Sequence, residues 1–183
     1  VGNPYPCSMA ANSNADASNN FLSSNSAVLD ATRNGIYLYD ESYGDYRTVS
    51  NATAAAYISS GQGFMVKAKD NTGLKVSFNA ADRKHGSATF YKGGDATPRF
   101  FLIIHSQEGA TNETEIAFIE GMTYGLDVSY DAGKFKGNSN LSLYNYLVDN
   151  NNQEFAIQAL PLLTEPVVVP VGFVAKVPGN YSF

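Results

Sequence analysis

From residue 35 onward the apolar residues fall at every second position or in short unbroken runs, broken up by Gly, Asn, Asp and Pro. The segments "GIYLYD", "GFMVKAKD", "LKVSFNA", "SATFYK", "RFFLIIHSQ", "TEIAFIE", "LSLYNYL", "EFAIQAL" and "VVVPVGFVAKV" read as strands, because a period of two places alternate side chains on opposite faces of a sheet. In "TEIAFIE" one face presents Ile116, Phe118 and Glu120 and the other Glu115, Ala117 and Ile119, a pattern that suits a sheet half in water. The run Phe100 to Ile104 is apolar on both faces and reads as a central strand. "KDNTG", "KGGD" and "DNNNQ" read as connections in which Gly or Asn supplies positive φ.

Before residue 35 the pattern differs. Residues 8 to 27 are dominated by Ser, Asn and Ala, whose polar side chains bond their own backbone, so they predict a loop with one short helix around Ala15 to Leu22. Helical periodicity is otherwise nearly absent, and neither a repeat nor a dividing linker is visible. The expectation is one all-β domain over 1–183, an antiparallel β-sandwich of jelly-roll type with at most one or two short helices. The opening "VGNPYP" is a turn with almost nothing before it, which suggests a piece of a larger protein.

Composition narrows the partners. A chain of 183 residues with a hydrophobic fraction of 44% and a charged fraction of 16% has the apolar content to build a core. Twelve basic residues against seventeen acidic ones give a net charge of −5, and the densest basic cluster is only Arg83-Lys84-His85. Nucleic acid and anionic membrane surfaces, which need a positive field, are therefore not expected as partners. Membrane insertion is not expected either, since the longest apolar candidate, "PVVVPVGF", is short and carries two prolines. The lone Cys7 excludes an internal disulfide.

The ordered series "VGNPYP", "GIYLYDESYGDY", "ISSGQGFMVKA", "VSFNAADRKHG", "FFLIIHS", "TEIAFIEGMTYGLDVSYDAGKFKG", "LSLYNYL", "FAIQALPLL" and "VPVGFVAKVPGNYSF" resembles a domain of secreted and cell-surface proteins of Bacteroidetes. That domain lies near the C-terminus of proteins exported by the type IX secretion system. The most specific pieces are Asn3 to Pro6, Gly61 to Phe64 and Tyr130 to Ala132. The resemblance implies a β-sandwich in an extracellular or cell-surface setting, attached to other domains of its parent protein. It also implies a chain cut at both ends, with a strand before the Asn-Pro-Tyr-Pro turn and further strands after Gly179 to Phe183, so exposed strand edges would offer a route to assembly with other copies or chains.

Few residues invite chemistry. Paired carboxylates can cleave glycosides, but Glu115 and Glu120 are separated by an odd number of residues and Asp40, Glu41 and Asp45 share a turn-like segment. No Gly-x-Ser-x-Gly elbow accompanies His85 or His105. Zinc lacks ligands, whereas calcium could use loop oxygens such as those of Asp127 and Asp131 in "LDVSYDAG"; the competing reading has Asp131 bracing a turn while Tyr130 packs. Twelve tyrosines and eleven phenylalanines raise the question of a sugar platform, for which Tyr43 and Tyr46, with Asp40 and Asp45 as polar partners and Tyr124 beside them, are the candidates. Asn51, Asn112, Asn140 and Asn180 begin glycosylation sequons, which arise by chance in an Asn- and Ser-rich chain. The expected role is a non-catalytic structural or adhesive domain, with a carbohydrate-binding module as the alternative.

Overall fold

The computed structural model describes residues 1–41, 44–70, 73–85, 97–137 and 140–183. In chain order the strands are β1 (Ser8–Ala10), β2 (Ile36–Asp40), β3 (Asp45–Val49), β4 (Tyr57–Ile58), β5 (Arg83–Lys84), β6 (Arg99–Ser106), β7 (Thr111–Phe118), β8 (Ala132–Gly133), β9 (Leu141–Leu147), β10 (Asn150–Leu160), β11 (Val171–Ala175) and β12 (Tyr181–Ser182). Helical structure among the described residues is one short helix, α1 (Phe21–Asn25), and the 3-10 turns Ala31–Arg33 and Ala80–Asp82. The fold is all-β with curled sheets, as the alternating pattern predicts.

Three sheets form. β4, β1 and β5 make a small antiparallel sheet, β2 and β3 a hairpin, and β11-β9-β10-β7-β6-β12 the large sheet, with β8 added on β10. Among the described residues adjacent strands run antiparallel except at one place. The end of β10 pairs in parallel with β7, Ile157 opposite Glu115 through Leu160 opposite Phe118. β10 pairs with its hairpin partner β9 at Asn150–Leu147 and, after a register shift, at Phe155–Asn145, and takes β7 as a parallel neighbour from Ile157 on. Such irregularities bend a strand and let one chain segment serve two neighbours.

The Ser- and Asn-rich segment 8 to 27, expected as a loop, instead contributes to the core. Met9, Ala11, Phe21 and Leu22 are fully buried with Leu29, Ile36 and Ile58. Burying side chains of this size contributes roughly 1.5–3 kcal/mol each. Burial of such irregular backbone requires that its polar groups be satisfied, and asparagine side chains do this. Asn3 Nδ2 donates to the carbonyls of Cys7, Ile58 and Ser59 at 2.9, 3.0 and 3.1 Å, while its Oδ1 accepts from Tyr5 N at 3.0 Å, which fixes the opening Asn-Pro-Tyr-Pro turn. Asn20 caps α1 by accepting from Ser23 N at 2.9 Å, and so the helix begins at Phe21, later than the composition suggests.

Two expectations need correction. Phe100 to Ile104 does not read out as a buried central strand: Phe100 is 52% and Phe101 45% exposed. Among the described residues β6 pairs along its length with β7, but with β12 only at His105 and Ser106. Conversely, β7 is not half in water. Glu115, Ile116 and Ala117 are all buried, because β10 and β6 flank it and its alanine joins a cluster with Ala132, Ala156 and Ile157.

Candidate functional site

Two places combine enclosure with polar chemistry. The first is a cleft of about 380 Å³ at the β2–β3 hairpin. The hairpin pairs Ile36 with Val49 through Asp40 with Asp45, and Gly44 takes φ +60°, a value that L side chains rarely adopt, to close the turn. Leu38, Arg47 and Val49 line one wall and Thr53 to Tyr57 the other. Asp40 and Arg47 form an ion pair inside the cleft. Tyr39, 60% exposed, and Tyr57, 36% exposed, stand on its rim.

The wall opposite the hairpin is held by the buried Asn12 side chain, helped by Asn14 Nδ2, which donates to Thr53 O at 2.6 Å. Asn12 Nδ2 donates to Ser50 O at 2.8 Å and to Ala54 O at 2.9 Å, and its Oδ1 accepts from Ala15 N and Ala56 N, both at 3.1 Å.

The second place lies behind the hairpin. Asp45 is buried, and its Oδ2 accepts from Asn112 Nδ2 at 2.8 Å. Asn112 Oδ1 accepts from Lys134 Nζ and from Leu143 N, each at 2.8 Å. The Lys134 ammonium also donates to Glu113 O at 3.1 Å. Burial pulls the Lys134 amine down to about 8, against the opposing pull of Asp45, Glu113 and Glu154. A cavity of about 30 Å³ adjoins these groups, lined also by Tyr46, Thr48 and Glu115. Burial likewise pushes the Glu115 carboxyl up to about 7, although Arg99 lies 3.4 Å away.

The residues singled out from the sequence do not converge. Asp40 lines the cleft, but Asp45 is engaged in the buried network. Tyr46 packs edge-on against Phe135, centroids 4.8 Å apart, and against Tyr39 at 5.5 Å. Tyr43 lies outside the described residues. Tyr124 is half-buried, and its carbonyl accepts from Asp149 N at 3.1 Å. The cleft's aromatic rim is thus Tyr39 and Tyr57. Strand alternation hid the first among core tyrosines, and the second sits in a strand of two residues.

Asp127 and Asp131 face backbone N–H donors. Asp127 Oδ2 accepts from Thr123 N at 2.7 Å, and Asp131 accepts from Asp127 N and Ala159 N, both at 2.7 Å. Tyr130 packs on the alanine-rich cluster. Burial pushes the Asp131 carboxyl up to about 7, with the two N–H bonds acting in the other direction. This arrangement braces a turn. Among the described residues no three His, Cys, Asp or Glu side chains gather as metal ligands, and no helix is long and apolar enough to cross a membrane.

A protein-family model described as a domain of unknown function (DUF8693) matches residues 1–183. No curated protein and no solved structure matches the chain.

Proposed function

We propose that this chain, which belongs to the DUF8693 family, is a non-catalytic structural or adhesive module of a secreted or surface-exposed bacterial protein, joined to other copies through a strand edge. One observation carries this reading: the outer edge of β11. Among the described residues β11 pairs only with β9 and ends the sheet. Its sequence, Val-Gly-Phe-Val-Ala, has no charge and no proline, the devices by which proteins blunt an open edge. Val171, Phe173 and Val174 are 47%, 49% and 38% exposed. An antiparallel second copy of the same edge would satisfy its free backbone groups and cover these side chains. Sedimentation of the purified chain over a wide concentration range tests this. Self-association that disappears in Phe173→Lys, with circular dichroism unchanged, is expected; a monomer at every concentration overturns the reading.

The cleft favours a second reading, a carbohydrate-binding module. Tyr39 and Tyr57 offer ring faces for the CH-rich side of a pyranose, and the Asp40–Arg47 pair offers hydroxyl partners. A polysaccharide array in which binding is lost in Tyr39→Ala and Tyr57→Ala supports it; equal binding by wild type and both variants sinks it.

A further inference from the structure

The buried network of Lys134, Asn112 and Asp45 has more order than a structural ion pair requires. Lys134 Nζ donates to Asn112 Oδ1 at 2.8 Å, the oxygen bonded to the carboxamide carbon, so amine and carboxamide are in direct contact. The same oxygen receives the Leu143 backbone N–H at 2.8 Å. The carboxamide nitrogen points the other way, at Asp45 Oδ2, 2.8 Å away. The orientation of this amide is fixed by its neighbours, since two donors face its oxygen and a carboxylate faces its nitrogen. Asn112 is 2%, Asp45 2% and Lys134 7% exposed, so bulk water is excluded.

We infer that Lys134 and Asn112 are the partners of a self-catalysed amide cross-link, in which the lysine Nζ replaces the asparagine Nδ2 and ammonia leaves. The three groups occupy the three roles that acyl transfer needs. A lysine held away from water titrates low, at about 8, so a substantial share of it is the free amine nucleophile at neutral to mildly alkaline pH. Leu143 N–H is already aimed at the oxygen on which negative charge develops. Asp45 takes the proton that the ammonium must give up and returns it to the departing Nδ2, against which it already rests.

The step balances. The lysine ammonium transfers a proton to the Asp45 carboxylate, and the free amine adds to Asn112 Cγ. The tetrahedral centre then expels Nδ2 as ammonia, protonated by Asp45, and the new amide nitrogen loses its extra proton to that ammonia. Ammonium and a Lys134–Asn112 amide are the products; Asp45 is ionised before and after, and nothing is oxidised or reduced. The adjoining cavity of about 30 Å³ is large enough for a molecule the size of water or ammonia. Fixed proximity lowers the barrier, since both reactants are held by the fold rather than brought together by collision. The bond would join β7 to the segment after β8 across 22 residues of chain. It is independent of whether the β11 edge or the cleft carries the biological role.

Intact-mass spectrometry of the whole purified chain, followed by peptide mapping, tests the proposal. The expected result is a mass lower than that of the sequence by one ammonia, with residues 112 and 134 recovered in one branched peptide. Lys134→Arg is expected to keep the full mass. Asp45→Asn is expected to cross-link more slowly than wild type by at least tenfold. A folded wild-type chain that keeps its full mass after long incubation at pH 8 overturns the inference, whether or not the variants fold. So does ammonia lost elsewhere, such as at Asn34-Gly35, with residues 112 and 134 in separate peptides. Cross-linking of Asp45→Asn at the wild-type rate removes Asp45 from the mechanism.

Discussion

Asp131 Oδ1 accepts the Ala159 N–H at 2.7 Å, which ties the turn at 127–131 to the parallel end of β10. Its other oxygen accepts the Asp127 N–H, so one buried carboxylate satisfies two backbone donors from separate parts of the chain. Replacing it by alanine leaves both donors without partners. Each buried, unpaired polar group costs about 1–3 kcal/mol. Asp131→Ala is therefore expected to lower the urea-unfolding free energy by about 3 kcal/mol, and Asp131→Asn, which keeps one acceptor, by less.

The same carboxyl makes stability depend on pH. Burial raises Asp131 and Glu115 to about 7 in the folded protein, above their ordinary values of 3.8 and 4.5. Between the ordinary and raised values the unfolded chain has released these protons while the folded chain still holds them. Protons bound to the native state exceed those on the unfolded state, so the contribution of both groups falls as pH rises through this window and is flat above about 7. Thermal melts from pH 4 to pH 8 should show this decline, and Glu115→Gln should flatten it. A stability that climbs steadily across the window would contradict the assignment.

Tyr37 and Gly133 are expected to be sensitive for a steric reason as well as a polar one. The fully enclosed Tyr37 hydroxyl donates to Gly133 O at 2.9 Å, and its ring lies 5.3 Å from that of Phe135. A Cβ on Gly133 would sit 2.7 Å from Thr32 O and 2.9 Å from Arg33 Cγ. The first of these is backbone and cannot swing aside. Gly133→Ala is expected to destabilise by about 1–3 kcal/mol through overpacking, and Tyr37→Phe by about 1 kcal/mol through the orphaned carbonyl. Chemical denaturation of the two variants separates the effects.

The long strands were legible because they carry their own pattern. β9 coincides with "LSLYNYL" residue for residue, and β2, β7 and β10 overlap their predicted segments. "GFMVKAKD" contributes single bridges, Gly2 to Gly63, Tyr37 to Met65 and Leu29 to Ala68. Its apolar Phe64 and Val66 pack on the core. The two- and three-residue strands β1, β4, β5, β8 and β12 are too short for periodicity to register. β4 is in addition tied down by the Asn3 side chain, which reaches Ile58 O across 55 residues of chain. The candidate chemistry was harder still. In the sequence Asn112 stands out only as the start of a sequon and Lys134 carries no signal; the pairing of both β7 and β8 with β10 brings them together.

Asn12 couples the stability of the N-terminal part to the shape of the cleft. Its Nδ2 reaches Ser50 O, Thr53 Oγ1 and Ala54 O, and its Oδ1 takes the Ala15 and Ala56 amides. Thr53, Ala54 and Ala56 are the wall facing Leu38 and Arg47. Asn12→Ala removes every one of these bonds and leaves a void, at an expected cost of about 3 kcal/mol or more. Asn12→Asp keeps the acceptor but sets a buried charge against carbonyl oxygens, and should be no better. The partners of Asn12 all lie within residues 15–56, so the loss should begin locally. Amide exchange is the discriminating measurement: in Asn12→Ala the Ala15 and Ala56 amides should lose protection far more than Ala159 does, and an equal loss at all three would mean that Asn12 serves the whole fold rather than the cleft.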